Sequence, residues 1–153
     1  MKVSALLLVF AFTTSVFIVS CGDGGDNAGS EASEQTAGKE THGNEVKPGD
    51  VTLASPLDTQ WVSHGKEIYD MKCQACHKLS DERVVGPGWK GVTQKREPHW
   101  ILNMITNVDM MLETDPEAQK LLEQCLVRMP NQNISKDDAR HVLEFMRSND
   151  GEK

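Results

Sequence analysis

The chain has 153 residues, of which 38% are hydrophobic, 25% charged and only 5% aromatic, and its formal net charge is −7. That length suits one modest domain with appendages rather than a two-domain enzyme. The acidic balance argues against a general nucleic-acid binder, which needs a basic face, and four cysteines are too few for a disulfide scaffold.

Lys2 is followed by an uncharged, apolar run from Val3 to Ser20 that ends at Cys21. A basic start, an apolar stretch and a small residue before the break read as an export signal over residues 1–20. Ile18-Val19-Ser20-Cys21 resembles the bacterial lipoprotein signal. That resemblance implies cleavage before Cys21 and lipidation of its thiol and new amino terminus, enough acyl chain for lasting attachment to a membrane. The alternative is an uncleaved signal anchor. Three of the four phenylalanines lie in this segment, leaving three Trp, one Tyr and one Phe for the rest. So few large side chains point to a bound group that supplies apolar volume.

Residues 21–51 change character. Seven of the twelve glycines fall here, Val46 is the one large apolar side chain before Val51, and seven acidic residues face Lys39 and Lys47. Such a stretch cannot bury enough apolar surface to offset chain entropy. It reads as a flexible acidic tether with a mean reach of about 30 Å.

The folded domain is expected from about Thr52 to Asn149, within 52–153. Helical spacing recurs four times. The first helix covers about Thr59 to Lys72. The second runs from Pro98 to Val108 with Trp100, Ile101, Met104, Ile105 and Val108 as its stripe. The third starts at Asp115 with Pro116 in a favourable first position and carries Ala118, Leu121, Leu122, Cys125 and Leu126. The fourth is capped by Ser135, with Asp138 three residues on, and presents Ala139, Val142, Leu143 and Met146. The domain reads as all-α.

Residues 73–77 are Cys73-Gln74-Ala75-Cys76-His77, the C-x-x-C-H pattern of c-type haem attachment. Two thiols at this spacing reach the two vinyl groups of one haem, and the adjacent His77 can ligate the iron. A redox dithiol gives no reason for the adjacent histidine, and a zinc site would want a second ligand pair.

From Gly65 to Arg147 the chain resembles a monohaem class I cytochrome c. Gly65 and Tyr69 precede Cys73 in the family's G-x-x-x-aromatic-x-x-x-C arrangement, and Gly86-Pro87-Gly88-Trp89-Lys90-Gly91-Val92 resembles its G-P-x-x-x-G-V loop. The resemblance implies about four helices wrapped around one haem c, held covalently by Cys73 and Cys76. It also implies that Phe145 crosses Gly65 and Tyr69, and that the Pro87 carbonyl accepts the hydrogen bond of the His77 imidazole. Tyr69, Pro87 and Trp89 then belong to the cofactor's surroundings. Asp109–Gln124 departs from the family pattern.

Met129-Pro130 lies in a turn-like segment before the last helix and matches the family's distal ligand, so metal ligation is expected from His77 and Met129. Met110 and Met111 stay open as alternatives, as does a histidine or no protein ligand. Met71, Met104 and Met146 fit helical faces, where a core role is the default. Cys125 reads as a small buried hydrophobe, with a reactive or metal-contacting thiol as the alternative.

Residues 66–96 hold seven basic and four acidic side chains, whereas 97–127 hold six acidic and one basic. A basic rim near the haem would steer docking to an acidic partner; an ordinary mixed surface is the plainer reading. The expected function is a membrane-tethered periplasmic electron carrier passing electrons from a respiratory donor to a terminal oxidase or denitrification-type reductase, with no acid–base catalytic residue. The alternative is a peroxidase-like haem enzyme, or a haem-based sensor, with an open distal site.

Overall fold

The structure, a computed structural model, describes residues 45–153. The expected signal, Cys21 and most of the tether therefore lie outside the described residues. Among the described residues no helix is long and apolar enough to cross a membrane, and no strand forms beyond one isolated bridge between His77 and Arg83.

Six α-helical segments follow one another: α1 (Thr59–Ile68), α2 (Val92–Lys95), α3 (Pro98–Thr106), α4 (Val108–Thr114), α5 (Pro116–Cys125) and α6 (Lys136–Asn149). Each well-capped start follows from its residues. The Asp58 carboxylate accepts from the Gln60 and Trp61 amides, Asp115 from Ala118, and Ser135 from Asp138, satisfying donors that a helix start leaves free. Pro98 and Pro116 occupy first-turn positions where no amide hydrogen is needed. On α6, Ala139, Val142, Leu143 and Met146 are buried as the stripe requires.

Four expectations are corrected. The first helix stays α-helical only to Ile68. Tyr69–Cys73 continues as a π-helical turn, closed by the Gln74 amide donating to the Tyr69 carbonyl at 3.0 Å. The wider turn rotates later side chains away from a 3.6-residue extrapolation, and Met71 is 73% exposed rather than core. The second helix breaks at Asn107, so Val108 opens a separate helix, α4, whose Val108, Met111 and Leu112 are buried. Leu126 ends α5 in the left-handed region (φ 58°) and is 85% exposed, outside the stripe. The packed chain also reaches back to Val46, which is 7% exposed. Its amide donates to Asn103 Oδ1 and its carbonyl accepts from Asn103 Nδ2, both at 2.9 Å.

α1 and α6 form the principal helix crossing, and α6 also contacts α2 and α3. Gly65 permits the crossing: a Cβ there would run into the His141 carbonyl and Phe145. Phe145 in turn packs on Tyr69, ring centroids 5.5 Å apart. Within α6, Glu144 is completely buried and pairs with Arg140 at 2.7 Å and Arg147 at 3.0 Å. These two guanidinium groups bond the carbonyls of Thr52 and Ala54, stitching the incoming chain to α6. Asp150, just beyond α6, accepts from the Gly91 amide (2.6 Å), the Thr93 amide (2.9 Å) and the Thr93 hydroxyl (2.7 Å). Two apolar clusters result. One joins α1, α3 and α6; the other lies under α4 and α5, with Met129 packed against it.

Candidate functional site

The π-helical turn delivers Cys73 at its last position, and the chain then coils back on itself. The amides of Cys76 and His77 both donate to the Cys73 carbonyl, at 3.1 and 2.9 Å. Gly86 to Trp89 is laid beside this coil by bonds from the Gly86 amide to the Cys76 carbonyl (3.0 Å) and from the Trp89 amide to the Lys78 carbonyl (2.8 Å). His77 is thereby fixed on several sides. Its Nδ1 lies 2.8 Å from the Pro87 carbonyl, its own carbonyl accepts from the Tyr69 hydroxyl at 2.8 Å, and its ring lies 5.6 Å from that of Trp89. Gly86 lies so close that a Cβ there would strike the imidazole.

With a carbonyl as partner, Nδ1 carries the proton, which leaves the Nε2 lone pair for a metal. Burial pushes the imidazole below its ordinary value, against the opposing pull of the Pro87 hydrogen bond, so the ring is neutral at pH 7. Burial, then neighbouring Asp70, holds the Tyr69 phenol above its ordinary value, and it remains a donor. The Cys73 thiol is pushed up to about 11, by burial first and by Cys76 second. A redox-active C-x-x-C pair lowers its thiol pKa instead. Burial of the Cys73 thiol thus speaks against dithiol redox chemistry.

His77 and Met129 line one cavity of about 570 Å³, together with Cys76, Pro87, Trp89, Met104 and Met146. Tyr69 and Cys73 are not among its lining residues; Tyr69 acts through the His77 carbonyl, and Cys73 packs on the first apolar cluster. Met110 and Met111 do not reach the cavity either. Both belong to the cluster under α4 and α5. Cys125 is half-buried and lines the cavity.

Spacing alone does not single out Trp100 and Arg96, yet both line the cavity. The Trp100 indole nitrogen is buried with no hydrogen-bond partner, and the Arg96 guanidinium, which also pairs with Glu117 at 3.2 Å, lies 4.6 Å from the Trp100 ring. An orphaned donor beside a cation is where an anionic group of a bound molecule would be received. In sequence, the arginine four residues before a helical tryptophan is the only signal of this.

Residues 62–150 match the Cytochrome c family. The chain belongs to that family. A solved cytochrome c from Rhodothermus marinus is 31% identical with a TM-score of 0.65, over 69% of this chain and 91% of that one. An engineered cytochrome c from the same organism, Rma TDE, is 30% identical with a TM-score of 0.64, over 69% and 92%. The same engineered protein bound to a carbene intermediate gives 30% and 0.61. A search of curated proteins gives no match.

The expected all-α class I cytochrome c fold is therefore present. A cytochrome c carries haem c bound through two cysteines, and Cys73 and Cys76 are the pair this chain has for it. The cavity fits such a group. It is largely apolar, it offers a neutral imidazole with a fixed tautomer, and its orphaned indole donor suits a carboxylate-bearing ring. The protein is a haem electron carrier.

Proposed function

We propose that this cytochrome c is a lipid-anchored electron carrier on the extracytoplasmic side of a bacterial membrane, in which His77 and Met129 would hold the haem iron. The observation that carries the ligand assignment is that the loop thioether of Met129 and the imidazole of His77 line the same cavity. Met104 and Met146 also line it, but from α3 and α6, whose backbones are fixed by packing. Met129 sits in the irregular segment between α5 and α6, where the chain can bring its sulfur to the metal.

When bound, haem c supplies iron that exchanges one electron between Fe(II) and Fe(III). The chain's own residues do the rest. His77 is held in register by Pro87, Gly86 and Tyr69, and a Met129 thioether that helped hold the iron would favour the reduced state relative to a second histidine. With His77 and Met129 both holding the iron, small substrates would be kept off the metal. Trp100 and Arg96 would receive the carboxylates.

Cys21 and the acidic segment after it support the anchor, and the tether would confine the search for redox partners to the membrane surface. Lys90, Lys95 and Arg96 border the cavity, and the exposed Val85 and Val127 line it as well. An apolar patch with a basic border supports docking to an acidic respiratory partner, a terminal oxidase or denitrification-type reductase.

The test is coordination in the haem-loaded protein. The wild type should be six-coordinate and low-spin, with a sulfur-to-iron absorption band that Met129→Ala abolishes while Met110→Ala and Met111→Ala retain it. A high-spin wild type that takes up carbon monoxide without denaturation would replace the carrier by an enzyme or sensor. For the anchor, Cys21→Ala should move the protein from the detergent phase to the aqueous phase.

A further inference from the structure

Away from the haem site, the α1–α6 crossing gathers three metal-ligating side chains. His64 on α1 and Asp138 and His141 on α6 each offer one donor atom, all within 4.8 Å of one another. His64 Nε2 lies 3.8 Å from Asp138 Oδ1, and the two imidazole rings are 4.8 Å apart, centroid to centroid. Gly65 sets this convergence: it lets α1 ride directly on the His141 backbone, so the residue before it is carried to the His141 side chain.

A second observation points to a ligand. Nδ1 of His141 is buried with no hydrogen-bond partner, an arrangement that leaves an imidazole nitrogen unsatisfied. The other groups around it are spoken for. The Arg140 guanidinium is engaged by Glu144 and the Thr52 carbonyl, and the Trp61 ring packs on His141 at 5.2 Å.

We propose that His64, Asp138 and His141 bind one borderline divalent cation, of which zinc is the natural example. Two imidazoles and one carboxylate are the ligands such a cation prefers, with water completing the tetrahedron. Bond lengths near 2.1 Å put two donors of a tetrahedral ion roughly 3.4 Å apart, so donors that now lie within 4.8 Å of one another close by at most about 1.4 Å. His64 and Asp138 have the rotamer freedom for this, since their side chains are 50% and 40% exposed. The bound ion staples α1 to α6 at the point of closest approach, and it takes no part in haem ligation.

Zinc is titrated by calorimetry into tag-free, haem-loaded protein. One ion binds per chain, and His64→Ala and Asp138→Asn each weaken binding by at least about tenfold, with the haem spectrum and far-ultraviolet circular dichroism unchanged. His64 is exposed, so its loss does not threaten folding. As a second readout, copper(II) in place of zinc shows magnetic coupling to two imidazole nitrogens, reduced to one in His64→Ala. No zinc uptake at about 1 mM, or uptake that His64→Ala leaves unchanged, overturns the site.

Discussion

At Gly86 an added Cβ would run into Cε1, Nδ1 and Nε2 of His77 together. Gly86→Ala therefore turns the imidazole from the Pro87 carbonyl or moves the loop, at a cost of about 1–3 kcal/mol in unfolding free energy. The imidazole becomes a weaker electron donor without the Pro87 carbonyl as acceptor, so the reduction potential should rise in an optical redox titration. A potential equal to that of the wild type would show that the Pro87 bond survives. The C-x-x-C-H residues were legible because covalent chemistry dictates their spacing. Trp100 was not, because an indole on an apolar stripe looks the same whether it fills a core or holds out a donor. Only its unpartnered nitrogen separates the two.

Among the helices, the crossing of α1 and α6 rests on one small residue. In Gly65→Ala the new methyl meets the backbone carbonyl of His141, which cannot turn aside as a side chain would. The helices must separate, and the expected loss is about 1–3 kcal/mol or more by denaturant unfolding of the haem-loaded protein. A loss below experimental error would mean that the two helices pack less closely. α1, α5 and α6 could be read from apolar period and caps. The break at Asn107 could not, since Val108 continues the α3 stripe at helical spacing while belonging to α4. α2 is only four residues long, too short for a period to show. Glu144 is equally silent in sequence: its burial makes sense only once Arg140 and Arg147 are seen to close on it.

For the molecule as a whole, composition hid where the domain begins. Val46 sits in a stretch too polar to fold by itself, and its burial depends on Asn103, which lies 57 positions along the chain. A haem-loaded fragment starting at Glu45 should be more stable than one starting at Val51 by about 1–3 kcal/mol, since the shorter one strands the Asn103 amide. Equal denaturation midpoints would place the boundary at Val51. The carboxylate of Asp150, just beyond α6, secures Gly91 and Thr93 beside the haem loop, while α6 seals α1. Synthesis runs the other way, with Cys73 and Cys76 emerging some seventy residues before that latch. The door over the haem loop therefore swings shut only after Asp150 has followed the two thiols, and until then they would stand open to whatever machinery installs the porphyrin.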